Sequence, residues 1–340
     1  MNFEEILEFD TKLTADVTEW RPLDQNDQNH LLCGTYFLDK TKNQRLGLLY
    51  FLKIDSENRK SDILDSFEFN NSGILDLKWL NTDNIITIDS ENILNMFRIN
   101  ENLIIEKTKE LSLVEDEEKS IGLTIDFIKT NNEYKVLTSD TLGYLNLVTI
   151  GDEMKLENKF KAHDLETWSV LIDRNDMNNI YSGADDCTFK IWDLRDANRK
   201  VGECKIFEGG VTSIILPQRD NFTWLNGYNT NNILCGSYDE KIYVLDKRNL
   251  KRSLNESKKL NGGVWKIKLH KEKDLLLCAC MHKGVHIVNS NSLESSLFYD
   301  GHGLDNLAYG CDWKRFDEKN DLVSTCSFYN HQLKIWKLKF

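Results

Sequence analysis

The stretch 162–195, AHDLETWSVLIDRNDMNNIYSGADDCTFKIWDLR, decides the fold. His163 opens the unit, and apolar residues then alternate through Trp168, Val170 and Ile172. A polar turn at 173–179 precedes a second run that ends at Ala184. Asp185 and Asp186 give a tight turn, and a third run ends on Trp192 and Asp193. Side chains alternate across a strand, so period-2 apolar runs broken by Asn, Asp and Gly predict half-buried antiparallel strands. Recurrence of such a unit at about 40 residues predicts a propeller blade, and one blade cannot stand alone.

More units follow when the chain is aligned on the last apolar position of the third strand. They fall at about 73–100, 120–150, 209–248, 262–290 and 302–339, and 15–53 adds one with a long tip at 39–45. The layout is that of WD repeats, and the expected fold is all-β: a seven-bladed WD-repeat β-propeller filling one domain, 1–340. Residues 6–14 are expected to supply the outer strand of the last blade, closing the ring and removing sheet edges. In a well-formed WD blade a leading histidine, a second-strand serine, the turn aspartate and a tryptophan make a buried hydrogen-bonded set. His163, Asp186 and Trp192 fit it, and Ala184 falls where the serine is expected. His163 therefore reads as structural.

Composition narrows the class. With 340 residues, 40% hydrophobic, two prolines and no long apolar run, the chain reads as one soluble domain without membrane insertion. The N-terminus, MNFEEILEFD, is acidic, unlike a secretory signal. Eight cysteines at 33, 187, 204, 235, 278, 280, 311 and 326 lack finger-like spacing, as expected of reduced thiols in a cytoplasmic protein. A net charge of −12 argues against nucleic acid and favours a basic or cationic partner. The charged runs 115–119 (EDEEK) and 251–259 (KRSLNESKK) read as solvated loops. Closed propellers need no partner for their edges, so a monomer is expected.

The residue before the turn aspartate is expected to point to the open face of the propeller. Blade by blade it is Tyr36, Ser90, Thr141, Asp185, Tyr238, Met281 and Tyr329. The matching first-strand position gives Asp16, Leu75, Leu123, Trp168, Thr212, Trp265 and Tyr309. Aromatic faces with carboxylates and no cations suit a quaternary ammonium group, whose charge is attracted to π-faces without hydrogen bonds. Trp and Tyr are equally at home on a protein-binding face. His282 stands where the turn aspartate belongs in the sixth blade and is either a general base or a polar cap. Cys278, Cys280 and His282 alternate on one strand, where three ligands seldom converge, so no metal and no cofactor are expected. Hydrolase elbows, H-E-x-x-H and phosphate loops are absent; the pairs Gly209-Gly210 and Gly262-Gly263 each precede a first strand.

A resemblance carries the reading further. ADVTEW, HDLETWSV with YSGADDCTFKIWD, CGSYDEKIYVLD, GGVWKIKLH, CACMHKGVHIVN and LAYGCDW with STCSFYNHQLKIW resemble the WD-repeat diphthine methyl esterase family over most of 15–336. Ala184, Leu245 and Asn330 depart from residues common at their positions, Gly or Ser, Trp and Asp. The resemblance implies hydrolysis of the methyl ester of methylated diphthine on a histidine of elongation factor 2, the protein substrate and partner. The substrate carries a trimethylammonium group, for which Trp168, Trp265, Tyr309 and Tyr238 are expected to form a cage with Asp185, and Tyr329 to line the rim. For cleavage, water activated by His282 with Tyr309 or a backbone amide as oxyanion donor stands beside Cys311 or Cys280 as a nucleophile, with Ser327 a third route. The alternative is a noncatalytic WD-repeat scaffold in trafficking or ubiquitin-ligase assemblies, gripping a peptide on the same face.

Overall fold

The computed structural model describes residues 1–22, 29–114, 119–196, 198–216 and 231–340. These residues build strands and turns arranged as seven antiparallel sheets, the blades of a seven-bladed β-propeller, and no helix occurs among them. The chain divides into two compact units, 1–122 with 301–340 and 123–300.

Three blades belong to the first unit. The first blade uses Ala15–Trp20, His30–Thr35 and Gln44–Asp55, with Phe37–Asp39 extending the hairpin and Lys60–Asn70 outermost. The second uses Ile74–Trp79, Asn84–Asp89, Ile93–Ile99 and Ile105–Ser112. The last blade joins Ala308–Arg315, Asn320–Ser327 and Gln332–Lys339 to Asn2–Asp10, which pairs antiparallel from Asn2↔Lys339 to Asp10↔Gln332. The N-terminal strand thus completes the last blade, but it starts and ends four residues earlier than expected. Lys12 adopts a left-handed φ of 62° and Thr11 turns its amide onto the His331 carbonyl at 2.9 Å, which ends the ladder.

The second unit holds four blades, with inner strands Gly122–Lys129, Thr167–Ile172, Val211–Ile215 and Lys266–Leu269 and outer strands Met154–Lys161, Arg199–Cys204, Asn249–Glu256 and Ser295–Tyr299. Neighbouring blades share apolar layers. Tyr181, Phe189 and Ile191 of the fourth blade pack with Ile214, Cys235 and Leu245 of the fifth. Leu245 occupies the tryptophan position and is fully buried there, so packing absorbs the departure.

Apart from the last blade, whose outer strand was expected from the N-terminus, each blade carries an outer strand that the apolar pattern did not predict. Those strands are largely exposed, as in Lys60–Asn70 and Ile105–Ser112, so alternation is carried by polar residues. For the same reason 251–259, read as a loop, is mostly the outer strand Asn249–Glu256 of the fifth blade. Of the other charged run, residues 115–118 lie outside the described residues. Among the described residues no helix is long and apolar enough to cross a membrane.

Candidate functional site

The fourth blade sets the frame. His163 contacts Asp186 through Nδ1 at 2.8 Å and Ser182 through Nε2 at 2.7 Å, and the Trp192 indole donates to the same Ser182 hydroxyl at 2.8 Å. Burial holds the His163 imidazole below its ordinary value, against the pull of Asp186. Both ring nitrogens are engaged, which makes His163 structural. The serine of the set is Ser182, and the expectation that Ala184 occupied its position is corrected. Ser182 and Ala184 share one strand face, and the Trp192 indole selects the one farther from the turn.

Beside that frame, blades four to six of the second unit assemble an aromatic and acidic rim. Trp168 lies on the inner strand of the fourth blade and Trp265 immediately precedes that of the sixth, with the fifth blade between them. Their rings meet with centroids 4.9 Å apart, tilted by 56°. The Trp168 indole lies near enough to the Asp185 carboxylate to favour its charged form. Burial raises the Asp185 carboxyl above the usual range, Glu166 and Asp186 push the same way, and the indole pulls it down. An exposed turn carboxylate repelled in this way by Glu166 and Asp186 gains from a nearby cation. Tyr238 stands half exposed in the turn of the fifth blade, with its amide donated to the Gly210 carbonyl at 2.8 Å.

His282 lies exposed in the turn between Leu275–Ala279 and Val285–Asn289, accessible to water. Cys278 and Cys280 point inward instead, both fully buried in the apolar layer around Leu276 and Val264. They do not share a site with His282. Among the described residues no cluster of three or more His, Cys, Asp or Glu is arranged to hold a metal.

In the first unit, Tyr309, Phe328 and the exposed Tyr329 form an edge-to-face ladder, with centroids at 5.1 and 5.5 Å. Phe328 was not among the expected rim residues, although it adjoins Tyr329 in CSFY. Cys311, one of the candidate nucleophiles, is buried in Ala308–Arg315 with 1% exposure, so its thiol does not face solvent. Ser327, also buried, donates its hydroxyl to Asn330 and is structural.

Two glycine pairs shape the rim of the second unit. A Cβ on Gly210 would lie 2.2 Å from Asp185 Oδ1, and one on Gly263 would lie 3.3 Å from Tyr238 Cδ2 and 3.0 Å from Met281 Sδ. At Gly210 the missing side chain leaves room for the turn residue of the preceding blade, whereas Gly263 is bounded first by Met281 of its own blade. Sequence reasoning noted the pairs without this role.

The WD40 family model, WD domain, G-beta repeat, matches residues 154–193. A chain from a crystal structure of the mitotic checkpoint complex superposes with a TM-score of 0.73 at 12% identity, covering 100% of this chain and 93% of that one, a likeness of fold alone. Diphthine methyltransferase homolog of Dictyostelium discoideum is 30% identical over 95% of this chain and 96% of its own length. Diphthine methyltransferase of Homo sapiens is 30% identical over 89% of this chain and 73% of its own length. That of Schizosaccharomyces pombe (strain 972 / ATCC 24843) is 28% identical over 95% and 97%. Near full-length similarity to such relatives, on a WD-repeat propeller, places the chain in the WD-repeat diphthine methyltransferase family of diphthamide biosynthesis.

Proposed function

We propose that the protein is a diphthine methylesterase, hydrolysing the methyl ester of methylated diphthine on elongation factor 2. The observation that carries this reading is the Trp168–Trp265 pair with Asp185 beside it. Two π-faces and a carboxylate at the exposed rim match a trimethylammonium side chain, which offers diffuse charge and no hydrogen-bond donor. An exposed rim also suits a side chain presented by a protein better than a free small molecule, which favours a deep pocket. The reaction requires one water. His282 takes a proton from it, the oxygen adds to the acyl carbon, a backbone N–H steadies the oxyanion, and the methoxide leaves as methanol with the proton from His282. In this reading the protein works as a cytoplasmic monomer without cofactor.

Mass spectrometry of elongation factor 2 carrying methylated diphthine, incubated with the purified protein, tests the proposal. The expected result is a mass loss of one CH2, absent with His282→Ala. Trp168→Ala and Trp265→Ala are each expected to lower kcat/KM about ten-fold, mainly through KM. An unchanged mass with intact binding of the factor refutes the esterase and leaves a noncatalytic scaffold.

A further inference from the structure

The pair Gly209-Gly210 is wedged between two turns. A Cβ on Gly209 would meet the Asp239 backbone nitrogen at 2.8 Å, in the turn of its own blade. A Cβ on Gly210 would meet Asp185 Oδ1 at 2.2 Å, in the turn of the preceding blade. Gly262-Gly263 shares only the first half of the arrangement: Gly262 faces the Cys280 carbonyl of its own blade at 2.1 Å, whereas a Cβ on Gly263 would first meet Met281 Sδ of its own blade at 3.0 Å and then Tyr238 at 3.3 Å. Backbone conformation does not require glycine at either second position. The described glycines with left-handed φ are Gly143, Gly284 and Gly303, so at Gly210 only space excludes a side chain.

The consequence differs along the pair. A side chain at Gly209 would strike backbone, which cannot yield cheaply. At Gly210 it would strike chiefly the far end of a carboxylate, which can swing away. Asp185 would then leave Trp168, while the Asp185 amide stays bonded to the Glu166 carbonyl at 2.9 Å and the Tyr238 amide to Gly210 at 2.8 Å. The fold would persist with the carboxylate aimed elsewhere.

We infer that Gly210 is a positioning residue of a quaternary ammonium site, its missing side chain letting the Asp185 carboxylate lie against Trp168 beside Trp265. The inference rests on reading the rim as a cation site, and it does not depend on ester chemistry.

Tetramethylammonium titrated against the full chain, followed by tryptophan fluorescence with ammonium as control, reads the site directly. The wild type is expected to show saturable quenching by tetramethylammonium alone. Gly210→Ala is expected to weaken binding about ten-fold, as is Asp185→Ala, and the double variant about as much as either. Asp185→Asn keeps an oxygen for the indole and is expected to lose less, about three-fold. Gly210→Ala is expected to melt within about 3 °C of wild type, whereas Gly209→Ala melts well below it. Wild-type affinity in Gly210→Ala, additive losses in the double variant, or no saturable binding by wild type would each overturn the inference. So would a Gly210→Ala protein that fails to fold, because the clash is assigned to a movable group. Cation binding without ester cleavage retains this inference and removes the esterase; ester cleavage without cation binding does the reverse.

Discussion

In the fourth blade His163 is held by the Asp186 carboxylate and the Ser182 hydroxyl, whereas in the last blade His302 reaches Thr325 at 2.9 Å and Asn330 takes the place of the aspartate in sequence. The tryptophans differ less. Trp192 donates to Ser182 at 2.8 Å and Trp336 to Thr325 at 3.3 Å. Asp186 also accepts from Thr188 at 2.5 Å and pairs with Lys190 at 3.4 Å. Asn330 instead donates to the His302 carbonyl at 3.3 Å and to Gln332 at 2.7 Å. The last blade keeps its geometry through a hydroxyl bridge and a wholly buried Trp336. A carboxylate is therefore one way to hold the leading histidine, and packing is another. The electrostatic outcome differs, because burial drives His302 down to about 3, helped by the Lys334 charge, whereas Asp186 opposes the same drift at His163.

The comparison breaks most sharply at the bridging hydroxyls. Ser182→Ala leaves the buried His163 Nε2 and Trp192 Nε1 without their shared partner and is expected to cost about 3 kcal/mol in urea unfolding. Thr325→Ala, with one longer bond, is expected to cost about half as much. Equal losses would mean that the two blades are held alike.

Acid separates them next. His302 refuses a proton that the unfolded chain accepts below about pH 6.5, so its contribution is intact above that pH and falls as pH drops towards about 3. Between pH 7 and 5 the loss is about 2 kcal/mol, and His302→Gln should remove that share of the slope. An unchanged slope in the variant would show that another group carries it.

The smallest effect is expected from Asn330→Asp, which adds a carboxylate but gives up the amide bonds to His302 and Gln332, leaving stability within about 1 kcal/mol. Its value lies in the titration. His302 should move upward in an NMR pH series, and failure to move would deny that Asn330 is the counterpart of Asp186.

What could be read from the sequence followed the burial of side chains. In the fourth blade the apolar residues of Thr167–Ile172 and Phe189–Asp193 pack into buried layers and marked the strands, so His163, Asp186 and Trp192 aligned correctly. The outer strand Asn249–Glu256 alternates charges and was taken for a loop. Ser182 and Ala184 lie on one face, and only the reach of the Trp192 indole across the sheet separates them. The same alternation grouped Cys278, Cys280 and His282, although the chain leaves the strand before His282 and turns it to solvent. The meeting of Trp168 with Trp265 was accessible through blade alignment. The space that Gly210 leaves for Asp185 was not, because an excluded volume has no signature in a periodic pattern.

The pairing of Asn2–Asp10 with Gln332–Lys339 also orders events in time. During synthesis the first of these strands is made before any other described strand, yet its partner is among the last to appear. Until then it waits as an open edge, the condition in which chains join one another. Glu4, Glu5, Glu8 and Asp10 give that waiting strand a run of like charge, and Ile6 is its single buried residue. Like charges on that strand oppose its pairing with another copy of itself, whereas Lys334 and Lys339 on Gln332–Lys339 meet Glu8 and Glu4.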